Sequence, residues 1–256
     1  MTDAVAPAFQ GFGSKSYRAY VLGALLVVYT FNFIDRLLIS IVQEPIKAEF
    51  HLSNFYLGIL GGPAFALLYT FTAIPIARWA ERGNRITIVA LGMAVWSAMT
   101  AACGFAMSYT QLLLARIGVG IGEAACVAPA HSAISDYFPT ERRATALSIF
   151  SLGIPIGSAL AAFGGGWLTG HFDWRSAFWL LGAPGLLIAL MLKLTVREPP
   201  RAGAQPETPS FGAAVRSLAG KTSFWHMAFA GALMSFVGYG SAQFLVSFMV
   251  RNFELA

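Results

Sequence analysis

Seven mostly apolar stretches of about twenty residues or more follow one another along this 256-residue chain. About twenty such residues is the length that crosses a bilayer as a helix. The stretches cover 19–43, 54–77, 86–108, 110–134, 144–170, 176–196 and 222–250. Residues 86–115 carry no charge but are too long for one straight span. The polar run Ser108-Tyr109-Thr110-Gln111 divides them. Only 11% of the chain is charged, against about 25% in soluble domains. That deficit excludes an ordinary soluble enzyme, a disordered chain and a nucleic-acid binder, even with a net charge of +5. The expected class is an all-α membrane protein.

The polar segments organise the rest. Residues 1–17 form a tail without the apolar core of a signal peptide, followed by a six-helix unit over 18–196. Residues 197–221 are rich in Arg, Glu, Pro and Gly and read as a linker. Within it, Phe211 to Leu218 is amphipathic and suited to a membrane surface. Residues 222–256 supply a seventh span. Of seventeen Lys and Arg, twelve gather at 15–18, in 78–85, at 142–143 and in 193–221. Three lie on the other side (Lys47, Arg175, Arg251) and two lie within spans. Basic loops stay in the cytoplasm. The expectation is a multi-pass protein of the cell (inner) membrane with a cytoplasmic N-terminus and cytoplasmic linker.

Four charges interrupt the spans: Asp35, Arg36, Arg116 and Glu123. On insertion scales each costs at least ~2.5–3.5 kcal/mol at the bilayer centre. The helical rise puts Asp35 roughly 14 Å, Arg116 roughly 10 Å and Glu123 roughly 20 Å below the surface opposite the N-terminus. Arg116 and Glu123 are seven residues apart and share a helix face. That face is predicted to meet Asp35 and Arg36 across an inward-facing cavity. The four charges cancel when both acids are ionised. Protonating either acid leaves a guanidinium free to attract a phosphate or carboxylate, a physical basis for coupling protons to an anion. A static ion-pair cluster is the competing reading. Gly118, Gly120 and Gly122, and Gly153, Pro155 and Gly157, suit close helix approach. Cys103 and Cys126 form neither a CxxC nor a disulfide framework. His131 and His226 lack neighbours at metal-ligand spacing, so no metal or cofactor is expected.

Several passages resemble the major facilitator superfamily of secondary transporters. The loop Arg78-Trp79-Ala80-Glu81-Arg82-Gly83-Asn84-Arg85 resembles its cytoplasmic signature, with Glu81 in place of the usual Asp and a shortened basic run. ARIGVGIGEA resembles its fourth-helix signature. DYFPTERRATALSIFSLGIPIGSALA and WRSAFWLLGAPGLLIAL followed by REPPR resemble its later helices. Asn32-Phe33-Ile34-Asp35-Arg36 together with RIGVGIGEA is most similar to the spinster-like branch of lysolipid and sphingosine-phosphate carriers.

The resemblance implies an N-terminal six-helix bundle, a linker and a seventh helix, a portion of a twelve-helix carrier. It implies proton coupling at Asp35 and Glu123, and substrate binding at Arg36, Arg116 and Glu123. From their places near these charges, Tyr29, Asn32, Tyr69 and Ser40, with Tyr239 and Gln243 of the seventh span, are candidates to line the path, against ordinary helix packing as the competing reading of each. The resemblance also implies a cytoplasmic latch of Glu81, Arg82, Arg85, Asp136 and Arg142. The implied partners are an amphipathic anionic small molecule or lipid, protons, membrane lipids and the remaining C-terminal helices. The alternative substrate is a small organic acid, such as a sugar acid or aromatic acid, taken up with protons. A seven-helix retinal protein is opposed by the cytoplasmic N-terminus and by the absence of Lys from 222–250. An intramembrane enzyme is opposed by the lack of HExxH, and a channel by the lack of a filter-like segment.

Overall fold

A computed structural model describes residues 11–201 and 211–253, and the described residues form helices without a strand. The helices are α1 (Lys15–Phe50), α2 (Asn54–Gly61), α3 (Pro63–Arg82), α4 (Arg85–Cys103), α5 (Tyr109–Glu123), α6 (Val127–Tyr137), α7 (Thr140–Ser151), α8 (Gly153–His171), α9 (Trp174–Thr195), α10 (Phe211–Ala219) and α11 (Thr222–Phe253). Seven units are long and apolar enough to cross a membrane: α1, α2 with α3, α4, α5 with α6, α7 with α8, α9, and α11.

Local chemistry sets the boundaries. Ser14, Asn84 and Ser108 each turn a side-chain oxygen onto a free N–H of the helix that follows, at 3.2, 2.7 and 3.3 Å. These are the orphan donors of a helix start. His51 ends α1 in the left-handed region, at φ 53°. The second span breaks at Gly62, and Pro63 opens α3, where its missing N–H costs nothing. The fourth span breaks over Ala124–Cys126, and the fifth at Leu152.

Two boundaries differ from the sequence expectation. Helix α1 starts at Lys15, inside the segment read as tail, and continues through Pro45 to Phe50. The segment 135–143, read as a loop, is helical apart from Phe138 and Pro139. The amphipathic piece read at Phe211 to Leu218 agrees with α10, and linker residues 202–210 lie outside the described residues.

Helix α1 packs chiefly on α8, and α4 packs on α9 and α5. Glycine makes the closest crossing possible. A Cβ on Gly122 would lie 2.5 Å from the Trp96 amide nitrogen and 2.8 Å from the Gly92 carbonyl oxygen. The core between these helices is apolar, with Val21, Leu25, Val28, Val89, Met93, Trp96, Val119 and Phe150 at or near zero exposure. Of the Gly164–Gly166 run, a Cβ on Gly165 would press on the Ile41 side chain, whereas one on Gly164 would meet nothing within 4 Å. Helix α11 stands mostly exposed and packs on α1 near Gln43.

Candidate functional site

The four intramembrane charges meet as two direct pairs. Asp35 accepts from Arg116 Nη1 at 2.9 Å, and both side chains are 1% exposed. Glu123 is fully buried and accepts from Arg36 Nε at 2.7 Å, with Arg36 15% exposed. The pairing crosses in depth. Short Asp35 takes the shallower arginine, and the longer Arg36 side chain reaches down to the deeper Glu123. Where the sequence places a cavity between these charges, the structure sets them in direct contact as two ion pairs. Direct contact between two arginines and two acids fills that space. An apolar crevice of about 100 Å³ lies elsewhere, between α1, α8 and α9, with Ile34, Leu38, Leu160 and Leu181 on its walls.

Aromatic rings and one hydroxyl complete the cluster. The Arg36 guanidinium lies 4.9 Å from the Tyr69 ring centre and 5.4 Å from those of Phe33 and Phe65. Arg116 lies 5.6 Å from the Phe65 ring. Thr100 of α4 donates its hydroxyl to the second Asp35 oxygen. Asn32 is fully buried one turn before Arg36, and neither amide atom has a hydrogen-bond partner among the described residues. The Oε1 of Glu123 is likewise buried without a partner. Unmade hydrogen bonds on buried groups cost about 1–3 kcal/mol each, and Arg36 Nη2 and Arg116 Nε of the same cluster are also buried without a partner among the described residues.

Tyr29 does not join the charges in a hydrogen bond. It stacks on Phe150 at 4.4 Å and meets Phe33 edge-on. Ser40 donates to Leu37 of its own helix. Gln243 bonds Gln43, and Tyr239 is exposed.

At the basic end of the bundle Arg85 is the hub. It is 1% exposed and holds Asp136, Glu198 at 2.6 Å, the Ser132 hydroxyl at 3.0 Å and the Pro199 carbonyl at 3.0 Å. Glu198 also accepts from the Ile86 amide at 3.0 Å. Of the five expected latch residues, Arg85 and Asp136 therefore meet. Arg82 and Arg142 are exposed, because each leaves its helix end toward solvent. The Glu81 carbonyl accepts from Arg201, which also bonds the carbonyls of Ala80 and Gly83 at 2.9 Å. Sequence reasoning missed Glu198 and Arg201 as members, although the REPPR run that carries them was conspicuous. It also missed Thr100, a neutral residue in a charge-free span that gives no signal of its own.

Comparison with known proteins places this geometry. Residues 25–256 match the Major Facilitator Superfamily model. An MFS-type efflux pump of Mycolicibacterium smegmatis is 34% identical over 238 residues, covering 90% of this chain and 54% of that protein. A probable sphingolipid transporter, spinster homolog 3 of Arabidopsis thaliana, is 34% identical over 151 residues, covering 58% of this chain and 28% of that one. The crystal structure of a bacterial homologue of the human lysosomal transporter Spinster, inward-facing and unoccupied, superposes with TM-score 0.82 at 42% identity. That match covers 95% of this chain and 58% of the other. The chain spans about half the length of most curated relatives it matches. With its seven apolar spans and helical bundle, the chain belongs to the Major Facilitator Superfamily of multi-pass membrane transporters, and spinster proteins are among its homologues.

Proposed function

We propose that this chain forms the N-terminal part of a proton-coupled secondary transporter of an amphipathic anion, such as a lysophospholipid or a sphingosine-phosphate-like lipid, in the cell (inner) membrane. One observation carries the reading: two buried arginines are neutralised by two buried acids, with unpartnered polar atoms on Asn32 and Glu123 beside them. An anionic headgroup that takes over an arginine sets an acid free to accept a proton, so substrate and proton bindings are linked. The sphingolipid named for the plant relative supports a lipid substrate.

Alternating access would rock the two halves about this site. At the end opposite the N-terminus, α1 and α11 are fastened together by Gln43, Gln243 and Ser247 and by Glu44 with Arg251. Toward the basic end α11 stands apart and exposed. This arrangement suits a path open on the side of the N-terminus, which the charge distribution makes cytoplasmic. Arg85, with Asp136 and Glu198, acts as the fastening that changes when the opposite side opens.

The test is proton movement into proteoliposomes carrying the complete protein and an internal pH dye. Lysophospholipid is expected to drive it, and Glu123→Gln to abolish it. Movement with a small carboxylic acid alone would replace the lipid reading. Movement that keeps its full pH dependence in Glu123→Gln would overturn the role of that acid.

A further inference from the structure

We propose that the segment just before α1 is a strap that closes on Tyr137 and, through it, holds the start of the linker, so that strap and linker let go together. Its purpose rests on the transporter reading above, because the linker joins the two sets of helices that would rock. Its geometry stands apart from that reading.

Three segments far apart in the chain meet at the C-terminal end of α6. Tyr137 is fully buried there. Its carbonyl accepts from the Phe12 amide at 3.1 Å, and its hydroxyl donates to the Arg197 carbonyl. The Phe12 and Tyr17 rings both rest on the Tyr137 ring, at 5.6 and 6.2 Å between centres. Tyr17 closes the circuit. Its hydroxyl accepts from the Arg197 amide at 2.8 Å and donates to the Thr195 carbonyl at 3.2 Å. The Tyr20 hydroxyl meets Thr195 Oγ1 at 2.5 Å. A helix end leaves its last carbonyls without partners inside the helix. At the end of α9, tyrosines of α1 and α6 take those groups. At the end of α6, the strap takes the Tyr137 carbonyl.

Glycines give the strap its shape. Gly11 and Gly13 flank Phe12 with φ 89° and 79°, the region that glycine enters without cost from a Cβ. Space enforces the same choice. A Cβ on Gly11 would lie 2.5 Å from the Tyr137 carbonyl oxygen, and one on Gly13 would lie 2.9 Å from the Tyr17 ring. Ser14 then caps α1 on the Tyr17 amide at 3.2 Å, which fixes where the Tyr17 ring starts. Phe12 therefore covers the two rings whose hydroxyls grip the linker. The next linker residue, Glu198, is held by Arg85 at 2.6 Å, and Asp136 of the same Arg85 cluster precedes Tyr137. The strap thus adjoins the fastening at the basic end.

Hydrogen exchange of the complete, purified protein in detergent reads the strap without any substrate. The Phe12 and Arg197 amides are both hydrogen-bonded, so each exchanges through local opening. Gly13→Ala forces an alanine into the left-handed region. Exchange is expected to rise by about 5- to 30-fold at 11–14 and, with it, at 195–201. Phe12→Ala removes only a partly buried ring and is expected to raise both segments to a smaller extent. Tyr17→Phe keeps the ring and loses the hydroxyl, and is expected to raise exchange at 195–201 while 11–14 stays protected. Unchanged exchange in α4 and α9 marks an intact bundle. If Gly13→Ala loosens the bundle as well, Phe12→Ala decides. Faster exchange at 11–14 with 195–201 at the parent rate in Phe12→Ala would overturn the proposal, as would a Tyr17→Phe variant that leaves 195–201 unchanged. Absence of proton flux with every substrate, alongside the expected exchange, would defeat the transport reading and leave the strap intact.

Discussion

Arg85 and Arg82 are the same residue type three positions apart, and only one of them is buried. Asn84 caps α4 and makes Arg85 its first residue, which turns the guanidinium inward to Asp136, Glu198, Ser132 and Pro199. A lysine has one compact ammonium and cannot fork to that many acceptors. Arg85→Lys should therefore lower stability by about 1.5–3 kcal/mol, the range for hydrogen bonds to charged groups. Arg82→Lys, on an exposed side chain, should change it by under ~0.5 kcal/mol. Thermal unfolding in detergent compares the two. Asn32 carries the opposite expectation. It is fully buried with both amide atoms unpartnered among the described residues. Asn32→Leu should stabilise the fold by about 1 kcal/mol while weakening substrate uptake. A variant that is both less stable and fully active would remove Asn32 from the site. At this scale the charges were legible in the sequence, because a charge inside an apolar run stands out. Their pairing was not, since it depends on helix rotation and side-chain reach. Thr100 was invisible because a lone hydroxyl in a membrane helix is ordinary.

The helices show how far periodicity alone can reach. Seven spans were legible because hydropathy over twenty residues averages out local detail. The breaks over Ala124–Cys126 and at Leu152 were not, because they interrupt backbone geometry without interrupting apolarity, whereas Pro63 marks the break at Gly62 in the sequence itself. The small-residue motifs divide in the same way. Gly120 and Gly122 face different helices, Phe65 of α3 and Trp96 of α4, which suits a helix threaded between two others. The Gly164–Gly166 run has the same composition, yet a Cβ on Gly164 would meet open space. The difference predicts opposite mutational signs. Gly122→Ala should cost about 1–3 kcal/mol through overpacking, since the rigid Trp96 and Gly92 backbones cannot yield. Gly164→Ala should be neutral or stabilise by up to ~1 kcal/mol through helix propensity. Melting both variants beside the parent decides it, and equal losses would show that the α4–α5 crossing is not tight.

At the scale of the whole molecule, the two ends of the bundle are held by different kinds of contact. The basic end is fastened within the first six spans, around the buried Arg85. The opposite end is fastened between α1 and α11, and there the charged pair is half-open: Glu44 and Arg251 meet at 2.7 Å with side chains 25% and 35% exposed. Exposed pairs contribute about 0.2–1 kcal/mol, so losing this one should raise the population open at that end by about 1.4- to 5-fold, not by orders of magnitude. The Gln43 amide is the stronger hold. Its nitrogen donates to the Gln243 carbonyl at 2.7 Å and to the Ser247 hydroxyl at 2.6 Å in a buried setting. Ser247 is 1% exposed, so Ser247→Cys reports the state of this end through its reaction with a membrane-impermeant maleimide added opposite the N-terminus. Labelling should rise modestly in Glu44→Gln and further in Gln43→Ala, whose loss leaves the Gln243 side-chain amide unpaired as well. Exchanging the charges, Glu44→Arg with Arg251→Glu, should return the Glu44→Gln increase toward the parent. Equal labelling in all these backgrounds would mean that the α1–α11 contact does not hold this end closed, and that the fastening lies in the packing of Phe244 and Gln243 against Gly58 and Gly61.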